Sequence, residues 1–153
     1  MERIASFCVD HTLLTEGMYL SRIDGDVVTY DIRCCKPNGG QYLENDGMHT
    51  VEHLFATYVR NSTYGDRVIY FGPMGCRTGF YFLVRNLTHC DAIRLVQEAF
   101  AFILQYTGKI PGVSEAECGN YQEHSLEKAR LYSAKMIQVL KNWTKEQLTY
   151  RTK

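Results

Sequence analysis

The chain has 153 residues, with seventeen basic and seventeen acidic side chains, so its formal net charge is zero at pH 7. This length predicts one domain that covers residues 1–153. The balanced charge argues against a nucleic-acid or membrane-surface partner, because both attract proteins with a basic excess. The longest apolar runs fall far short of the roughly 20 residues that cross a bilayer.

Six cysteines raise the question of redox state. Six could form three disulfides in a small secreted domain. However, residues 1–10 carry acidic side chains and lack the hydrophobic segment of an export signal. We therefore expect reduced thiols and a cytoplasmic protein. Some thiols can then fill the core, while others are candidate ligands or catalysts.

Hydrophobic periodicity predicts a mixture of strands and helices. Apolar and polar residues alternate on both sides of Asp24-Gly25, a strong turn signal, which predicts a hairpin over residues 18–33. Arg33 would then project from the strand face opposite the core. The other predicted elements, in chain order, are a helix over 48–60, a strand over 67–71, a turn over 72–76, a strand over 80–84, a helix after Thr88, an irregular segment over 108–119, a helix after Ser125 and a short helix after Thr144. This order favours an α+β fold, with an antiparallel sheet and helices packed on it.

A histidine pair on the predicted 48–60 helix is the strongest chemical feature. His49 and His53 are four residues apart and share one helix face, and Glu52 falls on the same side. The pattern matches H-x-x-E-H, which occurs in metallo-hydrolases. Two imidazoles at this spacing can bind one divalent metal, and the carboxylate can transfer protons. The alternative is a pair of surface histidines without a metal.

Two cysteines have informative surroundings. Cys118, just ahead of a predicted helix, would complete a His-His-Cys site with one open position, the arrangement of catalytic zinc centres. Cys76 lies in a glycine-rich turn where a ligand can approach the backbone, and a metal or Arg77 would favour its thiolate. For each cysteine the alternative is an idle or buried thiol.

Other polar residues give weaker signals. His11 follows Asp10, which can orient its ring, or it is a surface histidine with satisfied hydrogen bonds. Arg33 and Arg60 can hold anionic or hydroxyl groups, or they are solvated. No role is assigned to His89 and His124, and the adjacent Cys34 and Cys35 are interpreted as packing.

Five separate motifs cover nearly the whole chain and occur in this order: Ser6-Phe7 with Asp10-His11, Asp31-Ile32-Arg33 with Pro37-Asn38, His49-Thr50-Val51-Glu52-His53, the segment 73–81, and Cys118-Gly119. Together these motifs resemble the LuxS family of S-ribosylhomocysteine lyases. The resemblance implies an α+β homodimer with a metal site in each subunit near the interface. It also implies cleavage of the S-ribosylhomocysteine thioether by carbonyl migrations and β-elimination. The products would be homocysteine and 4,5-dihydroxy-2,3-pentanedione, the autoinducer-2 precursor.

The resemblance also assigns roles by matched position. It implies that His49, His53 and Cys118 are metal ligands, and that Cys76 and Glu52 are the acid/base residues. The substrate contacts that it implies are Ser6, His11, Arg33 and Arg60. The expected metal is iron(II), which zinc or cobalt can replace, and it would act as a Lewis acid on the sugar oxygens.

Tyr70 marks one departure from the family pattern. Better-known members carry an aspartate at this position, ahead of Pro-Met-Gly-Cys, although other members vary there. That aspartate is a candidate contact for the homocysteine end of the substrate. We therefore expect the change to affect substrate binding more than acid/base chemistry.

Two other function classes stay open beside the lyase. A small H-x-x-E-H metallopeptidase would use Glu52 to activate water, but a thiolate ligand and a second essential cysteine have no place in that mechanism. A non-catalytic binding module would use the metal only for stability and would unfold when the metal is removed.

Overall fold

The computed structural model describes residues 1–152, which form an α+β domain with a four-stranded antiparallel sheet, as predicted. The strands are β1 (Gly17–Asp24), β2 (Val27–Arg33), β3 (Val68–Pro73) and β4 (Gly79–Arg85), in the order β1-β2-β4-β3. The helices are α1 (Ala5–Cys8), α2 (Asn45–Arg60), α3 (His89–Gln105) and α4 (Leu126–Val139), with 3₁₀ turns at Gly65–Arg67 and Lys145–Leu148. Among these described residues, no helix has the length and apolar character needed to cross a membrane.

Local turn chemistry sets the strand connections. The β1–β2 hairpin turns at the predicted dipeptide, where Gly25 has a φ of +62°, in the left-handed region that glycine adopts readily. The β3–β4 turn differs from the prediction for residues 72–76. Gly72 and Pro73 still pair with Tyr81 and Phe80, so strand pairing continues through the first two residues of the predicted turn.

An aromatic core fixes α2 against the sheet. The Phe55 ring of α2 stacks on Phe71 of β3, with centroids 3.8 Å apart, and lies edge-on to Phe82 at 5.5 Å. Other fully buried residues of this core are Tyr30, Ile32, Phe80 and Phe100. Aromatic pairs of this kind add to the free energy of burial and hold one geometry. The helix that carries the histidine pair is therefore anchored on the side opposite its polar face.

Side-chain caps begin the next two helices at the predicted residues. Thr88 Oγ1 accepts the Asp91 backbone N–H at 3.1 Å, and Ser125 Oγ accepts the Lys128 N–H at 3.2 Å. Each cap satisfies an N–H that has no partner within its helix. Helix α2 begins at Asn45, three residues earlier than predicted.

The close approach of α2 and α4 depends on Gly47. A Cβ atom at this position would lie 2.6 Å from both Lys128 Cβ and Tyr132 Cε2. Only glycine leaves space for these α4 side chains. Lys128 also binds the Asp46 carboxylate at 2.8 Å, so the first turn of α2 is held against α4 just before His49.

Cys34 and Cys35 are buried, with exposures of 2% and 9%, which confirms the interpretation of this pair as packing. Burial raises the pKa of both thiols, so they stay protonated and unreactive. Cys8, Cys76 and Cys90 are exposed instead. The cysteines available for chemistry are therefore outside the core.

Candidate metal centre and active-site residues

His49 and His53 lie on one face of α2, with ring centroids 4.6 Å apart. The Nδ1 atoms of the two rings contact carbonyl oxygens of the loops around the helix. His49 Nδ1 donates to the Glu123 oxygen at 2.8 Å, and His53 Nδ1 donates to the Pro111 oxygen at 2.8 Å. Because a carbonyl oxygen only accepts, each Nδ1 carries the hydrogen and each Nε2 keeps a lone pair for a metal.

The loop over residues 106–125 brings Cys118 to the same point. Its Sγ atom lies 3.4 Å from His49 Nε2 and 3.9 Å from His53 Nε2. The Cys118 backbone N–H donates to the Ser114 oxygen at 3.0 Å, which fixes the loop locally. The structure therefore brings together the two imidazoles and the thiol that the sequence analysis singled out. Their role as metal ligands stays a prediction.

A third imidazole joins this group. The His124 ring stacks on His49 with a centroid separation of 3.9 Å and lies 4.7 Å from the His53 ring. Burial, followed by the charges of His49 and His53, lowers the pKa of His124 to about 4, so its ring is neutral at pH 7. Sequence reasoning gave His124 no role. The available signal was its place six residues after Cys118, in the same loop.

The four side chains form a cluster of candidate ligands for a divalent transition metal. His49, His53, Cys118 and His124 each offer one ligand atom, and these atoms all lie within 4.8 Å of one another. Ligands about 2.0–2.3 Å from a tetrahedral ion lie about 3.5 Å apart, close to the sulfur–nitrogen distances at Cys118. Imidazole and thiolate donors suit iron, cobalt and zinc, so the donor set does not distinguish these metals.

Glu52 is half-buried in α2 immediately before His53. Within residues 1–152, its carboxylate has no hydrogen-bond or ion-pair partner. A carboxylate without a fixed partner can take up and return a proton. Its place next to His53 and its lack of a partner within residues 1–152 therefore suit an acid/base residue.

Cys76 belongs to a second group, at the β3–β4 turn. Its exposed Sγ atom lies 3.1 Å from Thr78 Oγ1, which accepts a hydrogen bond from Arg33 Nη1 at 2.7 Å. A guanidinium only donates, so Thr78 Oγ1 accepts from Arg33, and its hydroxyl can either donate to the sulfur or accept from the thiol. The hydroxyl therefore links the exposed Cys76 sulfur to the buried guanidinium.

Arg33 faces away from the helices, as alternation predicts, yet its side chain is only 3% exposed. Its guanidinium binds the Asp31 carboxylate at 2.6 and 3.1 Å, and the Tyr150 hydroxyl donates to the same carboxylate at 2.7 Å. The C-terminal segment therefore covers this part of the outer sheet face. The substrate contact assigned to Arg33 stays a prediction.

Ser6 and His11 lie at the N-terminus, and no contact within residues 1–152 joins them to the metal cluster. Ser6 of α1 lines a pocket on the outer face of the sheet, together with Tyr70 and Tyr81. His11 is half-buried, and its Nδ1 lies 2.9 Å from the Val9 carbonyl oxygen. Tyr70, which replaces the aspartate of better-known family members, therefore lines the same pocket as Ser6, a predicted substrate contact.

Arg60 ends α2, seven residues after His53 and about 10 Å further along the helix axis. Its guanidinium donates to the Ile69 carbonyl oxygen at 2.8 Å and reaches the Val68 oxygen at 3.5 Å. Within this chain, Arg60 therefore ties the end of α2 to β3. Its assignment as a substrate contact stays a prediction.

Comparison with known proteins agrees with this geometry. Residues 4–147 match the family model described as S-Ribosylhomocysteinase (LuxS). The S-ribosylhomocysteine lyases of Borreliella afzelii and Desulfotalea psychrophila are 44% and 45% identical to the chain, over 98% of its length and 99% of theirs. The S-ribosylhomocysteine lyase of Phocaeicola vulgatus is 44% identical over 100% of this chain and 99% of its own. The chain therefore belongs to the S-ribosylhomocysteinase (LuxS) family.

Proposed function

We propose that this protein is a metal-dependent carbon–sulfur lyase that cleaves the thioether of S-ribosylhomocysteine. The products are homocysteine and 4,5-dihydroxy-2,3-pentanedione, the autoinducer-2 precursor. The convergence of His49, His53 and Cys118 from a helix and a distant loop carries the proposal. Relatives named for this activity align with 98–100% of the chain, which supports it further.

We assign His49, His53 and Cys118 as the metal ligands, and iron(II) as the metal, with zinc or cobalt as substitutes. When bound, the metal supplies Lewis acidity that polarises the sugar oxygens. The assignment is supported by the hydrogen bonds that give both imidazoles a free Nε2 lone pair. It is also supported by the mixed donor set, which suits these three metals.

Cys76 and Glu52 are assigned the proton transfers. The sugar carbonyl moves from C1 to C2 and then to C3, and each move takes a proton from one carbon and returns it to its neighbour. With the carbonyl at C3, loss of the C4 proton forms the C4–C5 double bond and expels the homocysteine sulfur from C5 as a thiolate, which takes up a proton. The enol that is left at C4–C5 tautomerises to 4,5-dihydroxy-2,3-pentanedione. An acid/base residue contributes about 10²–10⁴-fold to such a reaction. The exposed sulfur of Cys76 and the Glu52 carboxylate, which has no partner among residues 1–152, support these roles.

The proposed substrate contacts are Ser6, His11, Arg33 and Arg60.

The active form is proposed to be a homodimer with its active sites near the subunit interface. Exposed apolar side chains in the N-terminal segment and on the outer sheet face support the dimer: Ile4 (56%), Phe7 (65%) and Tyr70 (51%). Large exposed apolar groups in one region mark surfaces that partners cover. Sedimentation as a 17.6-kDa species at assay concentration would contradict the dimer.

The thiols support a cytoplasmic location for the enzyme. The six cysteines within residues 1–152 are all free. The proposed reaction needs Cys76 and Cys118 in reduced form, because an oxidised sulfur neither transfers protons nor binds this metal. Free thiols persist in reducing compartments.

Release of homocysteine tests the proposed reaction directly. Protein loaded anaerobically with iron(II) or cobalt(II) should release a thiol from S-ribosylhomocysteine, and Cys118→Ala should not. Thiol release at background level by the metal-loaded protein would overturn the proposal. Chelator-sensitive cleavage of a peptide would instead favour the metallopeptidase.

A further inference from the structure

His124 presents an imidazole nitrogen to the cluster that the proposed reaction does not yet use. Its Nε2 atom is buried and has no hydrogen-bond partner among residues 1–152. Buried polar atoms in folded proteins are nearly always hydrogen-bonded, so an unpartnered one requires an explanation. An absent ligand that binds at the cluster is one such explanation.

The surroundings of Thr50 fix which nitrogen of His124 carries the hydrogen. Thr50 Oγ1 donates its one hydrogen to the Asp46 carbonyl oxygen at 3.1 Å and accepts the Ser125 N–H at 2.9 Å. Its second lone pair faces His124 Nδ1 at 2.9 Å, so the arrangement that satisfies all three contacts has Nδ1 as the donor. Nε2 then keeps its lone pair as an acceptor or a ligand, and the ligand atom that His124 offers lies within 4.8 Å of those of His49, His53 and Cys118.

The ring geometry favours an acceptor over a fourth ligand. Two imidazoles that bind one tetrahedral ion have ring centroids about 5 Å apart, since each centroid is about 3 Å from the ion. His49 and His53 meet this condition at 4.6 Å and lie perpendicular to each other. His124 lies only 3.9 Å from His49, at an interplanar angle of 23°. Two nearly parallel rings this close cannot both direct Nε2 at the same ion, so His124 lies beside the ion's position.

We propose that His124 is a positioning residue. Its Nε2 atom accepts a hydrogen bond from an O–H group, and this O–H group occupies the coordination position that His49, His53 and Cys118 leave open. In the proposed reaction this group is a hydroxyl of the sugar. The inference rests on the proposed function for the identity of the sugar, while the hydrogen-bonding and stacking geometry stands independently of it. His124 thereby orients the substrate hydroxyl relative to the acid/base residues.

Substitutions at His124 separate the acceptor role from metal ligation. His124→Phe retains an aromatic ring to stack on His49 but removes the acceptor, while His124→Gln restores an acceptor oxygen near the same place. Each is combined with Cys76→Ala and loaded with cobalt(II), so that S-ribosylhomocysteine binds without turning over. We expect the phenylalanine variant to bind S-ribosylhomocysteine about tenfold more weakly, and the glutamine variant to recover most of the affinity. Cobalt affinity, measured by chelator competition, should change less than threefold in both variants. His124 is neither a proposed ligand nor, among residues 1–152, a hydrogen-bond partner of one, and it is the loss of such a partner that typically costs 10–100-fold.

A second measurement needs no change at His124. In ¹⁵N-histidine spectra of the Cys76→Ala protein, zinc should shift the Nε2 resonances of His49 and His53, and S-ribosylhomocysteine should then shift that of His124. Unchanged substrate affinity in His124→Phe, or a metal-induced shift at three Nε2 atoms, would overturn the inference. Thiol release by the wild-type protein is measured in parallel. No thiol release would overturn the proposed function. Thiol release together with an unchanged substrate affinity in His124→Phe and an unshifted His124 Nε2 resonance would overturn only this inference.

Discussion

At the scale of single residues, the Thr78 hydroxyl connects the buried Arg33 guanidinium to the exposed Cys76 thiol. It accepts from Arg33 Nη1 at 2.7 Å and lies 3.1 Å from Cys76 Sγ. The guanidinium is held in turn by the Asp31 carboxylate. We therefore expect the reactivity of Cys76 to depend on Thr78 and, through it, on Arg33.

Replacement of Thr78 tests this connection. Thr78→Val removes the hydroxyl that links Cys76 to Arg33, so we expect iodoacetamide to alkylate Cys76 several-fold more slowly at pH 7, while Thr78→Ser retains the wild-type rate. Mass spectrometry of the modified peptide gives the rate at Cys76 alone. Equal rates in all three proteins would show that the hydroxyl does not influence the sulfur.

The two acid/base assignments predict a loss of turnover without a loss of metal. Neither Cys76 nor Glu52 is in the metal-binding cluster, so Cys76→Ala and Glu52→Gln should keep the wild-type metal content. Thiol release should fall by about 10²–10⁴-fold in each variant. Full activity in either variant would remove that residue from its assigned role.

At the scale of elements, the contact between α2 and α4 determines where His49 and His124 meet. Gly47 allows this contact, because a Cβ there would lie 2.6 Å from two α4 side-chain atoms. Gly47→Val should therefore lower the free energy of unfolding by about 1–3 kcal/mol, as overpacking commonly does. Urea denaturation measures the change. Gly75→Val is the matched control, since apart from its chain neighbours no atom of residues 1–152 lies within 4 Å of a Cβ at that turn position. An equal loss there would refute the packing explanation.

Local sequence signals were sufficient to predict the helices and strands, but not which distant segments cover their side chains. The hairpin at Gly25 and the caps at Thr88 and Ser125 follow from nearby residues, and all three were predicted correctly. The burial of Arg33 was not predictable, because Tyr150 closes over its partner Asp31 from 119 residues away. No local pattern carries information about a contact at that distance.

The site residues likewise fall into those that local sequence predicts and those that depend on long-range contacts. The helical spacing of His49 and His53 predicts their shared face, because helix geometry is local. His124 was missed, because its position depends on the 106–125 loop folding back and on the stack that it forms with His49. Residue type and the family resemblance both pointed to Cys118. The structure places its sulfur 3.4 Å from His49 Nε2.

At the scale of the whole molecule, the hydrophobic core and the metal cluster are separate. The fully buried core joins the sheet to α2, α3 and α4, whereas all four cluster residues are partly exposed. Removal of the metal should therefore leave the far-ultraviolet circular dichroism spectrum unchanged and lower only Tm. Metal at 1,000 times its Kd should raise the free energy of unfolding by about 4.1 kcal/mol. Unfolding on chelation would instead favour the non-catalytic module that the metal stabilises.

Metal content and thiol release, measured together on one anaerobic preparation, test the central claim most directly. Protein stripped of metal and then titrated with iron(II) or cobalt(II) should release homocysteine from S-ribosylhomocysteine in proportion to bound metal, with a maximum at one ion per chain. Cys118→Ala should bind metal weakly and release no thiol. Full metal occupancy without thiol release, or undiminished release from metal-free protein, would contradict the account.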